Sequence, residues 1–262
     1  MTRKNKLVVG VWKDRLTVNE SVALAQQLAM RGGRDRQDLT FGVAPAPLAL
    51  VAVQPLLEQR GLAVVAQDVH WPAASGSYMG STSLGMLQEL SVRYCMIGHS
   101  ERREFFGETD ESIHQKIVGA INAGIVPILC VGDRTTDLVE RKATLLTQIL
   151  GALKGGTNGS IDISKIAIAY EPVWAISTWR GSMPLPSGAD VQEMMKMLAD
   201  LVSQVSGQSV ASTPLLYGGS VAPKNADEYF SADGVDGALV GGASLTAESL
   251  DAVFAAAERA WT

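Results

Sequence analysis

The chain is poor in the residues that build disulfide frameworks and metal sites. Its 262 residues include two cysteines and three histidines, and Cys95 and Cys130 each lie inside an apolar run. Such isolated cysteines are typical of buried thiols in a reducing compartment, so we expect a cytoplasmic protein without disulfides. Because cysteines and histidines do not cluster, the sequence indicates no zinc or other metal site, and nothing in it implies an organic cofactor.

Charge and hydropathy exclude further classes of protein. The formal net charge is −5 and 19% of the residues are charged, so we expect neither nucleic acid nor a membrane surface as partner. Apolar runs stay well below the ~18 residues that a membrane span requires. The N-terminus is basic but lacks the long apolar region of a signal peptide. With 47% hydrophobic residues, the composition instead favours a globular protein with a large core.

Short apolar runs alternate with helical patterns along the whole chain. We predict strands at 7–11, 40–44, 62–66, 94–97, 126–131, 166–170, 214–217 and 237–240, with helical segments after them. The alternation predicts an α/β fold in which helices cover a parallel sheet. Eight such units in ~250 residues favour a closed (β/α)8 barrel, the TIM-barrel fold, as a single domain over residues 1–262.

Chemically useful side chains follow several of these strands. Lys13, His99 and Glu171 come at predicted strand ends, and glycine-rich turns follow strands seven and eight at 218–220 and 241–242. Residues at the carboxyl ends of barrel strands build the active site, so we expect all of them on one rim. Taken alone, Glu171 could equally cap an element or form a salt bridge. Pro172 lacks an N–H, and we therefore expect strand six to end where this carboxylate begins.

The glycine turns and His99 suggest a chemistry. Adjacent glycines let backbone N–H groups face an oxyanion, and barrels often bind phosphate at the loops after strands seven and eight. A Gly-Gly pair can also be a plain tight turn, although two on consecutive strands favour phosphate. His99 precedes a predicted short helix, whose positive end disfavours the imidazolium. A neutral ring there could donate a hydrogen bond to a carbonyl oxygen.

The motifs at the strand ends resemble those of the triosephosphate isomerase family along nearly the whole chain. Five pieces carry the resemblance, in order: VGVWK at 9–13, GHSERR at 98–103, AYEPVWAI at 169–176, YGGSV at 217–221 and VDGALVGG at 235–242. The resemblance implies an enzyme that interconverts dihydroxyacetone phosphate and D-glyceraldehyde 3-phosphate, in glycolysis and gluconeogenesis. It also implies a homodimer formed through the loop at 68–80.

The resemblance further implies a role for each matching residue. Glu171 would move a proton between adjacent carbons, His99 would polarise the carbonyl and Lys13 would stabilise the enediolate. The phosphate would be held by four residues: Ser220, Gly241, Gly242 and the backbone N–H of Ser177. Supporting roles would fall to Glu101, which would pair with Lys13, and to Ile176 and Leu239, which would cover the Glu171 carboxylate. Residues 172–181 would form a lid that excludes water.

The sequence departs from the family pattern in four places. Val11 stands where the family usually has Asn, and Met79 stands where it usually has Thr; in the family these two polar groups meet across the dimer interface. We infer that an apolar Val11–Met79 contact replaces that polar contact, because burying one polar partner alone would cost about 1–3 kcal/mol. The lid hinge reads STWR at 177–180, and the segment 182–188 is longer and richer in proline than usual.

These departures leave two alternatives to triose phosphate isomerisation. One is a sibling isomerase with the same catalytic set that acts on a four-carbon tetrulose phosphate. The other is a barrel kept for binding or scaffolding, which would not need a base, an electrophile and a phosphate cradle together. The presence of Lys13, His99 and Glu171 with both glycine turns favours the triose enzyme.

Overall fold

Eight parallel strands close into a barrel in the computed structural model, which describes residues 4–31, 36–72, 76–154, 160–176 and 184–262. The strands pair in chain order, and the first pairs with the last. Their bounds are β1 Lys6–Val11, β2 Leu39–Ala44, β3 Ala63–Ala66, β4 Tyr94–Ile97, β5 Val126–Asp133, β6 Ala167–Pro172, β7 Leu215–Tyr217 and β8 Gly237–Val240. The predicted (β/α)8 barrel is confirmed.

Helices cover the outside of the barrel between the strands. They are α1 Val18–Met30, α2 Pro47–Glu58, α3 Leu84–Glu89, α4 Ser100–Phe105, α5 Asp110–Asn122, α6 Leu138–Lys154, α7 Gly188–Ser206, α8 Ala226–Phe230 and α9 Ala247–Ala260. Side chains define where several begin: Thr17, Thr109 and Ser187 each form a capping box with the residue three positions later. Among the described residues, none of the helices is long and apolar enough to cross a membrane.

Two apolar layers hold the barrel together. Inward-facing residues at alternate positions of β1 (Leu7, Val9 and Val11) meet others from the remaining strands to fill the barrel interior. A larger cluster, which includes Phe41 and Phe254, packs between the sheet and the helices. Both cysteines are buried and free, as the sequence predicts. Because side chains alternate in direction along each strand, one set fills the barrel interior and the other packs against the helices. The polar residues follow at the strand ends.

The prediction that β6 ends where the carboxylate begins is wrong. The strand runs through Glu171 to Pro172, and these two residues pair with Gly132 and Asp133 of β5. On the other side, pairing with β7 stops at Tyr170. Pro172 lies beyond the residues that pair with β7, so its missing N–H costs no hydrogen bond to that strand. Proline is therefore tolerated at this last position. Glu171 is consequently held on the rigid sheet rather than on the loop that follows it.

Candidate active site

A cavity of about 180 Å³ opens at the carboxyl ends of the strands. It brings together side chains and turns that are far apart in the sequence, as predicted. The predicted residues that line it are Lys13, His99, Glu171, Ile176, Ser220, Leu239, Gly241 and Gly242. Glu101 lies just behind this set and contacts Lys13. Ser177 and the lid hinge at 177–180 lie outside the described residues, as do residues 182–183.

Lys13 sits two residues beyond the end of β1 in an unusual backbone conformation. Its φ of 54° lies in the left-handed region, which non-glycine residues rarely adopt. The Gln67 side chain holds this backbone in place, because its Nε2 donates to the carbonyl oxygens of Lys13 and Ala44, both at 2.9 Å. The Lys13 Nζ donates to Glu101 Oε1 at 2.5 Å. The strained backbone thus aims a partly buried ammonium group into the cavity.

His99 caps the N-terminus of α4, as the sequence argument expected. Its Nδ1 accepts a hydrogen bond from the backbone N–H of Glu101 at 3.2 Å. The Nε2 lies 2.9 Å from Glu171 Oε1. An Nδ1 that accepts a hydrogen bond is unprotonated, so in the neutral form of the ring this geometry favours the tautomer that carries its proton on Nε2. That proton points toward the cavity and its carboxylate.

Glu171 is almost completely buried, with 2% of its surface exposed. Its Oε2 accepts a hydrogen bond from the backbone N–H of Ser100 at 2.9 Å. Burial raises the pKa of this carboxyl, but the attraction of His99 and the Ser100 hydrogen bond outweigh burial and lower the pKa below its ordinary value. The carboxylate is therefore ionised at neutral pH, as a base must be.

The same contact acts on His99 in the opposite direction. Burial lowers the pKa of the ring, but the adjacent Glu171 carboxylate outweighs burial and raises the pKa above its ordinary value. The sequence argument considered only the helix N-terminus and did not anticipate that the carboxylate contacts the ring. The charge preference of His99 therefore depends on where Glu171 lies.

The turn after β7 needs its glycines for space. An added Cβ at Gly218 would lie 3.1 Å from the Glu171 side chain, and one at Gly219 would lie 2.3 Å from the Tyr217 hydroxyl oxygen. The Ser220 Oγ donates to the carbonyl oxygen of Ala175 at 2.7 Å. This hydrogen bond joins the β7 turn to the segment that follows β6, where the sequence places the start of the lid.

The turn after β8 has glycines for a different reason. Among the described residues, an added Cβ at Gly241 or Gly242 would meet no atom within 4 Å. Packing does not require glycine here, whereas close approach of a ligand to the backbone would. The Ser244 Oγ donates to the Gly241 carbonyl at 2.7 Å and fixes the turn. A short 3-10 helix, Gly242–Ser244, begins there, so its first N–H groups are available to an anion.

Sequence reasoning missed three contributors to this site. Gln67 fixes the backbone at Lys13, and Ser244 fixes the turn after β8. Lys224 lines the cavity near Ser220 and adds a second cation. The role of Gln67 depends on a contact with a residue far apart in the chain. The position of Gln67 directly after β3 was the one available signal, because strand ends face the site.

The comparisons with known proteins agree with the geometry. The sequence profile of triosephosphate isomerase matches residues 6–257. A curated triosephosphate isomerase from Chlorobium phaeovibrioides (strain DSM 265 / 1930) is 40% identical over 97% of this chain and 99% of its own length. One from Thermoanaerobacter pseudethanolicus (strain ATCC 33223 / 39E) is 37% identical over 93% and 96%.

A solved structure gives the same result in three dimensions. The crystal structure of triosephosphate isomerase from Bartonella henselae matches with a TM-score of 0.81 and 30% identity. The match covers 97% of this chain and 99% of that one. Sequence and fold therefore agree over nearly the full length of both proteins. The chain belongs to the triosephosphate isomerase family.

Proposed function

We propose that this chain interconverts dihydroxyacetone phosphate and D-glyceraldehyde 3-phosphate through an enediolate. The observation that carries the proposal is the contact between an ionised, buried Glu171 and the Nε2 of His99, 2.9 Å apart in one cavity. Lys13 and the glycine turns after β7 and β8 line the same cavity. A base, a hydrogen-bond donor, a cation and an anion cradle are the groups that this reaction requires.

In the proposed mechanism, Glu171 removes a proton from the carbon next to the carbonyl group. The electron pair of that C–H bond forms the carbon–carbon double bond, and the former carbonyl oxygen becomes the enediolate oxygen. His99 Nε2 donates a hydrogen bond to this oxygen and moves a proton between the two oxygens. Lys13 offsets the negative charge. Glu171 then returns its proton to the neighbouring carbon, so that the atoms balance without a cofactor.

Substrate binding must separate Glu171 from His99. At 2.9 Å the two groups leave no room for a carbon and an oxygen between them. Once Glu171 turns to the substrate carbon, the largest influence that raises the His99 pKa is removed, and the smaller one of Glu101 remains. Burial and the charge of Lys13 both lower that pKa, so they favour the neutral ring that the mechanism needs. The ligand-free contact is thus a resting state, and the substrate releases both groups.

The phosphate would bind at the β7 and β8 turns. An added Cβ at Gly241 or Gly242 would meet no described atom within 4 Å, and both glycines line the cavity together with Ser220. We propose that the backbone N–H of Ser177 completes this cradle when a lid formed by residues 172–181 closes over the substrate. Closure would exclude water and prevent loss of phosphate from the enediolate. Ile176 and Leu239 would then cover the Glu171 carboxylate.

We further propose that residues 1–262 act as one catalytic domain in the cytoplasm and that two chains form a homodimer. Met79 is fully exposed and Tyr78 is half-exposed, so the 76–80 part of the 68–80 loop projects apolar side chains from the surface. A cavity of about 620 Å³ beside the active site has apolar walls that include Val11, Leu16 and Leu48. Insertion of this loop into the partner's cavity would place Met79 against Val11 of the other chain.

Kinetics of a shortened base test the proposal. In Glu171→Asp the carboxylate retreats by about 1 Å from the substrate carbon, and such a displacement lowers kcat by about 100-fold. Binding of 2-phosphoglycolate should stay within a few-fold of wild type, because the phosphate cradle is unchanged. An unaltered kcat would remove Glu171 from the mechanism, whereas absence of turnover in wild type would favour the non-enzymatic alternative.

Substrate preference is tested separately. The family match favours the three-carbon substrate over a tetrulose phosphate. We expect kcat/KM for D-glyceraldehyde 3-phosphate to exceed kcat/KM for tetrulose phosphates. A strong preference for the tetruloses would contradict the assignment.

A further inference from the structure

Helix α4 carries two groups of the proposed site but has no apolar anchor. Its N-cap is His99, and the N–H of its first residue, Ser100, donates to Glu171. None of its six residues is buried, and both the last of them, Phe105, and the C-cap residue Phe106 are exposed. Burial of apolar surface, which positions most helices, therefore cannot position this one.

Ion pairs hold α4 instead, and each of its charged residues reaches a different partner. Glu101 contacts Lys13 and Glu104 contacts Arg134. Arg103 donates to the carbonyl oxygen of Gly98 at 2.9 Å and contacts Asp110 at 2.6 Å. Arg102 contacts Asp68 at 2.7 Å and Glu108 at 3.4 Å. The orientation of α4, and of the groups at its N-terminus, thus depends on directional contacts.

Among the ion pairs of α4, those of Arg102 include the most deeply buried acid, Glu108. Lys116 on α5 contacts both of the acids that Arg102 contacts, Asp68 at 2.6 Å and also Glu108. Two cations and two acids therefore alternate; we call these residues (Asp68, Arg102, Glu108, Lys116) the ion cluster. The side chains of Glu108 and Lys116 are 2% and 7% exposed. Burying such charges is costly, so a buried ion pair is weak evidence for a role in stability. We therefore consider a role in positioning the site.

We propose that Glu108 and Lys116 are positioning residues for His99. The inference rests on the proposed function, because it assigns His99 a part in the reaction. The backbone N–H of Arg102 donates to the His99 carbonyl oxygen at 2.8 Å. A shift of Arg102 would therefore move the backbone of His99 and, with it, the Nε2 that faces the substrate. Glu108, held by Lys116, attracts the guanidinium of Arg102 from inside the protein across 3.4 Å, without a hydrogen bond between Nε and Oε2.

Two glutamates that pair with arginines provide a matched test. Glu108→Gln removes a buried charge of the ion cluster, and Glu104→Gln removes an exposed one from α4 itself. We expect Glu108→Gln to lower kcat for D-glyceraldehyde 3-phosphate by about 10- to 100-fold, since small misplacements of catalytic groups have effects of this size. KM should stay within about twofold, because the phosphate cradle is distant. Glu104→Gln should leave kcat and KM near wild type.

A readout that needs no activity accompanies the kinetics. The chain has three histidines, so the His99 imidazole resonances can be assigned by their loss in His99→Gln. We expect Glu108→Gln to shift these resonances in the ligand-free protein and Glu104→Gln to leave them in place. If Glu108→Gln shifts the resonances but the wild type does not turn over trioses, the proposed function is overturned and this inference is not. An active wild type with unchanged resonances and kcat in Glu108→Gln would overturn this inference alone.

A double variant separates positioning from folding. Glu108→Gln/Lys116→Met removes both buried charges together, which avoids leaving either one alone and should preserve the melting temperature. Arg102 still loses one of its two acids, so we expect kcat to remain about 10-fold or more below wild type. A double variant with wild-type melting temperature and wild-type kcat would show that neither buried charge is needed to position His99, and would contradict the proposal.

Discussion

Helices α4 and α9 follow strands on opposite sides of the barrel, and different forces hold them. Helix α9 buries a face that includes Leu250, Val253 and Phe254, and the Phe254 ring packs on Phe41 with centroids 4.6 Å apart. Helix α4 buries no residue and is held by ion pairs. Apolar burial is strong but non-directional, whereas charged hydrogen bonds fix orientation. We infer that α9 contributes stability and that α4 contributes geometry.

The largest expected effect falls on the site that α4 helps to build. Glu171→Gln keeps the shape of the side chain but removes the proposed base, so kcat should fall by about 10²- to 10⁴-fold, the range for general acid–base groups. Steady-state kinetics with D-glyceraldehyde 3-phosphate would measure this. The control is binding of 2-phosphoglycolate, which should persist. A loss below 10-fold would show that another group removes the proton.

A core substitution on α9 should have the converse effect. Phe254→Ala removes a buried ring that packs on Phe41, and truncations of this kind cost about 3–5 kcal/mol in free energy of unfolding. Urea denaturation would measure the loss, with Val139→Ala at an exposed position of α6 as the control. Under native conditions kcat should stay close to wild type. If Phe254→Ala lowered kcat as much as Glu171→Gln, the division between scaffold and site would be wrong.

The contact between His99 and Glu171 predicts how stability depends on pH. The folded pKa of Glu171 is lowered, so its contribution is present above the ordinary value of 4.5 and is lost as pH falls through the folded pKa. The folded pKa of His99 is raised, so its contribution is present below the ordinary value of 6.5 and is lost as pH rises through the folded pKa. Both contributions are complete between these two values.

The prediction compares wild type with His99→Gln in the absence of ligand. The difference in free energy of unfolding should be largest between about pH 4.5 and 6.5, where a charged hydrogen bond is worth about 1.5–3 kcal/mol. It should shrink on both sides of that window. Urea titrations at a series of pH values would measure it, and a difference that rises steadily toward alkaline pH would contradict the assigned pair.

The smallest expected effect concerns the proposed dimer. In Val11→Asn a polar amide would face Met79 of the partner subunit without a hydrogen-bond partner, which should weaken association by about 1–3 kcal/mol. Analytical ultracentrifugation over a dilution series would measure the dissociation constant. Val11→Asn/Met79→Thr should recover much of the loss, because the two polar groups can then meet. Tighter association of Val11→Asn alone would refute the apolar contact.

Sequence patterns predicted much of the scaffold because it follows local rules. The strands 94–97 and 237–240 have the predicted bounds, and the capping box at Thr17 begins α1 as expected. Alternating apolar residues and capping motifs act within a few positions of the chain, so the sequence displays them directly. The predicted end of β6 was wrong because the end of that strand depends on how far its two neighbours, β5 and β7, extend beside it.

The sequence predicted which residues meet at the cavity, but it did not predict the contacts between them. Strand-end logic and the family resemblance brought Lys13, His99 and Glu171 to one cavity. The resting contact between His99 and Glu171 was missed, as was the support of Lys13 by Gln67. Both join residues more than 50 positions apart, and their distances are set by the closure of the barrel rather than by any local pattern.

Proton exchange with solvent tests the central assignment, Glu171 as the base, most directly. Wild-type protein and Glu171→Gln would convert dihydroxyacetone phosphate in D2O, and NMR would follow deuterium at the carbon next to the carbonyl group. The account predicts deuterium incorporation with isomerisation in wild type, and loss of both in parallel in Glu171→Gln. Undiminished exchange in Glu171→Gln would contradict it, because a different group would then be removing the proton.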